Sequence, residues 1–161
     1  MVLLSRRRFR GPLSAVLTGL LLAGAGCRGP SEPPAELVGP WQGDARVIVS
    51  WCAQERLTLE LEIDAAGGVR GRVGDARLTH GRLCRNRGEL GRRLELATDW
   101  IVLGDLDGPL VASDDIVRAG VKIPFDLVAG ELRGGLHSTG LHVGPPGVMV
   151  FSAAGLVLRR P

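Results

Sequence analysis

The chain has 161 residues, which is enough for one ordinary domain with a tail. Hydrophobic residues make up 45% of it, too many for a disordered chain, and 24 glycines with 10 prolines are too few for collagen. The formal net charge is +3, but four arginines lie in the first ten residues, so removing residues 1–26 leaves 16 cations and 17 acids. A charge of −1 without aromatic residues among the cations argues against nucleic acid as a partner.

The first 26 residues are predicted to be an export signal. A basic segment containing Arg6, Arg7, Arg8 and Arg10 precedes an uncharged stretch, residues 12–26, that is shorter than the ~20 residues needed to cross a bilayer. Small residues then lead directly to Cys27, and this pattern resembles the lipobox of bacterial lipoproteins, with Gly24 where that family usually has Leu. The resemblance implies that Cys27 is diacylated and becomes the N-terminus on the membrane. An ordinary cleaved signal and an uncleaved anchor are the alternatives.

The residues around this signal also bear on the export route and the destination. The segment Ser5–Phe9 resembles a twin-arginine export signal, with a generic basic segment as the alternative. Arg28, rather than Asp, follows Cys27, which by the sorting rule of bacterial lipoproteins implies the outer membrane or the cell surface. Residues 28–37 contain three prolines and are predicted to be a stiff tether, leaving 38–161 as a single domain.

Cys52 and Cys84 are the other two cysteines. An even pair in an exported chain favours a disulfide, which would stabilise the fold by about 3–4 kcal/mol. Buried thiols are the alternative. Neither cysteine has a CxxC partner or a histidine at ligand spacing, so a metal site or a catalytic role is disfavoured.

Two β-hairpins are predicted from residues that alternate between apolar and polar. Leu57–Ile63 and Val69–Val73 pair with position numbers that sum to 132, so that Glu62 faces Arg70 and Glu60 faces Arg72 on the outer side, with Gly67 in the turn. Val121–Leu127 is predicted to pair with the segment after Ala129-Gly130, in a register whose opposed position numbers sum to 259. Pro124 indicates an edge or a bulge. Further strands are predicted at Arg46–Cys52, Ala76–Leu83, Arg93–Ala97, Trp100–Leu106, Gly147–Ala153 and Leu156–Arg159. Some eight to ten short strands indicate an all-β domain, an antiparallel barrel or a sandwich.

Three features in chain order resemble lipocalins. Gly39-Pro40-Trp41 resembles the G-x-W motif of the first strand, and Thr98-Asp99-Trp100 resembles the later T-D-Y motif. Arg159 or Arg160 matches the family's arginine, which packs over the first tryptophan. The resemblance implies a barrel whose mouth holds a small apolar ligand, with Trp41, Trp100 and Arg159 as candidate pocket residues. The alternative for the tryptophans is that they fill the core.

Three groups of residues suggest chemistry. Five arginines, Arg82, Arg85, Arg87, Arg92 and Arg93, favour an anionic envelope component, with a polar connection that pairs with the protein's own acids as the alternative. Asp105, Asp107, Asp114 and Asp115 contain only a fragment of a calcium loop, so a solvated loop is favoured. His137 adjoins Ser138, but neighbours on a strand point to opposite faces.

The sequence therefore predicts a non-enzymatic envelope lipoprotein without a cofactor or metal that binds a small apolar ligand or an envelope component. A structural or assembly lipoprotein, docking a protein through a sheet edge or the arginine-rich segment, is the first alternative. A hydrolase using Asp99, Asp105 or His137 is the second.

Overall fold

The computed structural model describes residues 32–86, 98–111, 116–142 and 148–161. A short 3-10 helix, Ala35–Leu37, precedes eight strands. These are β1 (Gly39–Val47), β2 (Arg56–Ile63), β3 (Gly68–Val73), β4 (Ala76–Arg85), β5 (Trp100–Asp107), β6 (Ile116–Val128), β7 (Glu131–His142) and β8 (Val148–Arg159). Each strand pairs antiparallel with the next, and β8 pairs with β1, so the sheet is a closed barrel. The all-β prediction is confirmed, as a barrel and not a sandwich.

The strands pass between two ends of the barrel. The end at which β1 begins also carries the 64–67 and 129–130 turns and residues 160–161; we call it the tether end. The opposite end, which we call the far end, carries the 48–55 connection, the 74–75 turn and residues 108–111.

Both predicted hairpins have the predicted register. Ile63 faces Val69 and Glu60 faces Arg72, and Gly67 has a φ of 82° in the turn, as a three-residue hairpin loop requires. Asp126 faces Arg133 across the second hairpin. Alternation of two residues along each strand fixed which face is buried, and the charges fixed which residues oppose each other.

Apolar side chains line the inside of the barrel. Inward residues of every strand are almost completely buried, including Leu59, Leu83, Ile123, Phe125, Leu136 and Phe151. Leu37 of the 3-10 helix is buried at the tether end. Leu110 and Val111 are buried after β5, and the Leu110 carbonyl accepts a hydrogen bond from Asp75 N–H in the 74–75 turn. Apolar side chains therefore cover the core at both ends.

Some strand boundaries differ from the predictions. Of the strand predicted at Arg46–Cys52, only the first two residues belong to β1. Residues 48–55 form a connection. The two last predicted strands form one, β8, whose pairing with β7 shifts between Gly134 and Gly135. The strand predicted at 93–97 lies outside the described residues.

Closure of the barrel corrects the predictions that involve a sheet edge. Pro124 lies within β6 opposite Ile101 of β5. On its other side β6 pairs with β7 both before and after Pro124, at Lys122–His137 and at Phe125–Gly134. Because β1 and β8 pair with each other, each of the eight described strands has a neighbouring strand on both sides. This closure disfavours the predicted docking of a partner at a sheet edge of the described strands.

Candidate functional site

A groove of about 570 Å³ lies on the outer surface of strands β1 to β4. It is lined by residues of these four strands and by the last residue, namely Pro40, Trp41, Gln42, Glu60, Leu61, Glu62, Arg70, Gly71, Arg72, Arg77 and Pro161. Its volume is within the range of small-molecule sites, about 300–1,000 Å³. The polar side chains are exposed because they alternate along the strands with the buried residues of the core.

At one end of the groove, Glu62 and Arg70 neutralise each other. They oppose one another in the β2–β3 register, and the guanidinium donates to both carboxylate oxygens, at 3.0 Å and 3.1 Å. The hydrogen bond from Arg70 and its positive charge lower the pKa of the Glu62 carboxyl, and the carboxylate raises the pKa of Arg70. The predicted pairing of these two residues is confirmed.

A second row of polar residues crosses the groove two positions further along the strands. In register order it contains Gln42, Glu60, Arg72 and Arg77. Arg72 and Arg77 are direct cross-strand partners, an arrangement of like charges that normally destabilises a sheet. Arg72 donates to the backbone carbonyl of Asp75 at 3.3 Å, whereas the Arg77 side chain makes no hydrogen bond or ion pair with the described residues. Each arginine also has an acid directly opposite on its other side, Glu60 of β2 for Arg72 and Asp107 of β5 for Arg77, so the row is balanced in charge.

The groove floor depends on a glycine. Gly71 has a φ of 144°, and a Cβ atom at this position would lie 1.9 Å from the backbone oxygen of Glu60. Only glycine permits this close approach of β3 to β2.

The lipocalin-like residues lie mainly in the core and at the tether end. Trp41 is buried, and its indole N–H donates to the Leu37 carbonyl at 2.9 Å. Arg160 packs over the Trp41 ring, 4.7 Å from its centroid, and donates to the carbonyls of Glu36 and Val38. Arg159 instead bonds the Glu131 carboxylate, 2.7 Å away on the outer surface. The arginine that packs over Trp41 is therefore Arg160 and not Arg159, since the Arg159 side chain lies on the outer surface.

Trp100 is also a buried core residue. It begins β5 opposite Phe125, and the Arg85 guanidinium lies 4.1 Å from its ring centroid. Of the five clustered arginines, Arg82 and Arg85 are exposed on β4, while Arg87, Arg92 and Arg93 lie outside the described residues, as does Cys27. Arg85 thus covers a core tryptophan, and Arg82 lies outside the groove lining.

The predicted disulfide between Cys52 and Cys84 is not formed. Cys52 lies in the 48–55 connection at the far end, and Cys84 is buried next to the last residue of β4, at the tether end. A disulfide requires Cα atoms about 4.4–6.8 Å apart, and a strand rises ~3.3 Å per residue, so most of the barrel's length separates the two thiols.

The residues of the hydrolase hypothesis are not in one cleft. Asp99 lies before β5, where its backbone N–H donates to Asp126. Asp105 pairs with His80 at 3.1 Å on the exposed outer face of β4 and β5. His137 lies on β7, separated from β5 by β6.

His137 has a neighbour that the sequence did not indicate. Its Nδ1 lies 3.1 Å from the Ser152 hydroxyl on β8, while Ser138 points to the other face and donates to the Gly120 carbonyl. Two effects lower the pKa of His137, namely its burial, which is the larger effect, and the positive charge of Lys122. The expectation that His137 and Ser138 point to opposite faces is confirmed.

Neither comparison with known proteins nor the arrangement of the described residues indicates a further site. No protein-family model, curated protein or solved structure matches the chain. Within the described ranges, no group of three or more His, Cys, Asp or Glu residues is placed to hold a metal ion. No helix in the same ranges is long and apolar enough to cross a bilayer.

The sequence indicated the groove only in part. The sequence predicted that Arg70 and Arg72 lie on the outer side of a hairpin, but it indicated only their partners on β2, Glu62 and Glu60. The position of Arg77 depends on the β3–β4 register, which shifts between Val69 and Gly71. The alternating residues of Ala76–Leu83 indicated a strand, but nothing in the sequence indicated which strand it pairs with.

Proposed function

We propose that this protein is a non-enzymatic binding module of the bacterial envelope, anchored through Cys27, and that it holds an envelope component in the outer groove of strands β1 to β4. The observation that carries the proposal is that the inward side chains of the barrel are apolar and buried, whereas a groove with polar side chains lies on its outer surface. Ligand sites are concave and combine a few placed polar groups with an apolar surface, and the groove offers both.

The other parts of the proposal come from the sequence. The basic segment, the short apolar stretch and the small residues before Cys27 support export and lipidation. The tether is shorter than predicted, because Ala35–Leu37 form a 3-10 helix whose Leu37 is buried against the barrel. The seven residues 28–34 extend at most ~22 Å, at about 3.1 Å per residue, and would hold the barrel near the membrane surface. The tether reaches the domain next to Leu37, at the tether end, so the outer face of the barrel stays accessible.

The large inward side chains favour an envelope component over a small apolar ligand. A carrier of apolar molecules needs room among its inward side chains, and these positions hold large residues such as Phe125, Phe151 and Leu136. The groove lies beside Trp41 on the outer face, with charged walls, which suits a polar ligand.

The proposal is tested by filling the groove. Gln42→Trp places a large neutral side chain in it, and Thr139→Trp places the same side chain at an exposed position of β7. Full-length wild type and both variants are purified from bacterial envelopes, and retained molecules are identified by native mass spectrometry. We expect the wild type and the Thr139 variant to retain a component that the Gln42 variant loses.

Equal retention by both variants would refute binding in the groove. A protein partner retained by all three chains would instead favour the structural or assembly alternative. Lipid anchoring has its own test, since Cys27→Ser should abolish acylation and release the protein from membranes. A Cys27→Ser chain that remains fully acylated would contradict the anchor.

A further inference from the structure

We infer that the barrel lies on a bilayer containing anionic lipid, through the outer surface of strands β7, β8 and β1 near the far end. This surface, which we call the seam face, consists of the outward side chains of residues 46–48, 135–139 and 150–154, with Lys122 beside them and Trp51 at the far end. The seam face is separate from the groove. Its contact with a membrane goes beyond the proposed binding function, from which it takes only the anchor at Cys27.

Exposed apolar side chains gather at the far end of the seam face. Of the four large apolar side chains that are exposed in the described residues, three lie here, namely Ile48, Trp51 and Val150, which are 52%, 40% and 50% exposed. Ile48 N–H donates to the Ser152 carbonyl at 3.1 Å, so Ile48 lies diagonally across from Val150 on β8. The Trp51 ring packs edge-on against the buried Phe151 ring, with centroids 5.9 Å apart. The core thus supports an apolar cluster that faces solvent.

Arg46 gives this apolar cluster a positive neighbour. It lies two residues before Ile48 on the outer side of β1, and Arg56 opposes it on β2. The Arg46 side chain makes no hydrogen bond or ion pair with the described residues, and Asp44, two residues earlier, is paired with Arg56. Glu55 precedes Arg56 in the extended chain, so alternation directs its side chain away from the outer side that the two arginines share. Arg46 therefore remains available to an external anion.

Lys122 is a second cation, on the other side of β8. It lies opposite His137 of β7, and no acid opposes it on either neighbouring strand. The Lys122 side chain also makes no hydrogen bond or ion pair with the described residues. Residues 135–139 and 150–154, which lie between Lys122 and Arg46, contain no Asp or Glu. The surface between the two cations is therefore free of negative charge.

The charge of the seam face favours a membrane over a second copy of the chain. In a two-fold dimer the same surface meets itself, which would bring Arg46 and Lys122 of one copy against those of the other without acids between them. A bilayer with anionic lipids instead provides phosphate groups for both cations. Trp, Ile and Val side chains suit the boundary between the headgroups and the acyl chains.

The anchor predicted at Cys27 is compatible with this orientation. β1 adjoins β8 and begins at the tether end, so the tether joins the barrel at the other end of the same strands. The nine residues of β1 extend about 30 Å at ~3.3 Å per residue, so an upright barrel would hold Ile48 away from the bilayer. A barrel lying on the seam face brings Ile48 to the surface and keeps Leu37 within the ~22 Å reach of residues 28–34. Strands β3 and β4 of the groove lie opposite β7 and β8 in the barrel, so the groove stays open.

The membrane contact is tested by tryptophan fluorescence in vesicles. Full-length wild type is reconstituted into vesicles of phosphatidylcholine, with or without phosphatidylglycerol, made from ordinary or acyl-brominated lipids. Bromine quenches tryptophan at short range, and Trp41 and Trp100 are buried in the barrel. We expect quenching in vesicles with phosphatidylglycerol that is weaker in phosphatidylcholine alone, decreases as salt is added and is lost in Trp51→Phe.

Matched variants separate the seam face from the rest of the barrel. Arg46→Gln and Lys122→Gln should each shift the equilibrium between bound and detached barrels about fivefold, the effect of one basic residue at an anionic surface. Arg82→Gln removes the same charge from an exposed position of β4, on the opposite side, and should leave the equilibrium unchanged. Ile48→Glu should abolish the quenching, whereas Thr58→Glu at an exposed position of β2 should not alter it.

Three results would overturn the membrane contact. The first is equal wild-type fluorescence in brominated and ordinary lipids, and the second is quenching that persists in Trp51→Phe. The third is a loss with Arg82→Gln as large as that with Arg46→Gln. Native mass spectrometry provides a further check, because a wild-type dimer that Ile48→Glu dissociates would make the seam face an interface between copies instead.

Two controls keep these results independent of folding and of the groove. Melting temperatures of all variants are measured without vesicles, and they should stay close to wild type because every replaced side chain is exposed. Failure of the Gln42→Trp test would refute binding in the groove and leave the bromine quenching as expected. Absence of quenching with selective retention in the groove would refute the membrane contact alone.

Discussion

Replacing Arg160 by alanine should destabilise the barrel far more than the same change at its neighbour Arg159. Arg160 joins three parts of the tether end, because its guanidinium packs on Trp41 and donates to the carbonyls of Glu36 and Val38 at 2.8 Å and 3.0 Å. Arg159 donates only to the Glu131 carboxylate on the exposed outer surface, and Arg133 donates to the same carboxylate.

The magnitude follows from these contacts. A cation over an aromatic ring contributes about 0.5–1 kcal/mol when exposed, and a hydrogen bond typically contributes about 0.5–1.5 kcal/mol. For Arg160, one ring contact and two hydrogen bonds to carbonyls give about 2–3 kcal/mol. In a domain of 124 residues this corresponds to a fall of about 8–12 °C in melting temperature. Exposed ion pairs contribute little, so Arg159→Ala should lie within error of wild type.

Urea unfolding followed by tryptophan fluorescence measures both variants, and Arg160→Lys serves as a further control. Lysine keeps the charge but lacks the planar fork, so it should recover only part of the loss. Equal effects of Arg159→Ala and Arg160→Ala, or a loss below about 0.5 kcal/mol for Arg160→Ala, would refute the reasoning that Arg160 fastens the tether end.

Three further predictions concern backbone strain and pH. Gly71→Ala should cost about 3 kcal/mol or more in urea unfolding, because the new Cβ would meet the Glu60 oxygen at a φ that alanine disfavours; a loss below 1 kcal/mol would contradict the close approach. Ala129→Asn should stabilise by about 0.5–1 kcal/mol, since Ala129 has a φ of 51° before a glycine and asparagine suits that turn; a lower melting temperature would argue against this turn. His137 has a lowered pKa in the folded protein, so the unfolded chain takes up its proton first, and stability should fall as pH drops below about 6.5. Thermal unfolding between pH 7.5 and 5 should show a weaker decline in His137→Gln but not in His80→Gln, and an unchanged decline in His137→Gln would exclude this origin.

Much of the fold could be predicted because its hairpins are local. Residues 57–73 carry a period of two, opposite charges at opposed positions and a glycine where the turn needs a positive φ, and all three indicate one register. Residues 121–133 do the same with Asp126 and Arg133. The first strand was misplaced because the apolar residues at 47–52 are more evident in sequence than the glycine-containing strand from Gly39 to Val47.

The candidate site was harder to predict because its residues meet across several strands. Arg72 has its sequence-predicted partner on β2 and a second arginine on β4, and only the β3–β4 register shows that Arg77 is the second neighbour. The disulfide failed for a related reason, since the number of cysteines does not indicate at which end of a barrel each one lies.

By itself the sequence determined the all-β class, the two hairpin registers and the buried side of the hairpin strands, because these depend on neighbours within about ten residues. Tertiary structure alone decided the closure of β1 with β8, the choice of Arg160 over Arg159 against Trp41, and the opposed arginines of the groove. Each of these depends on the shear and closure of the whole sheet, which sets which distant residues meet and which face each one occupies.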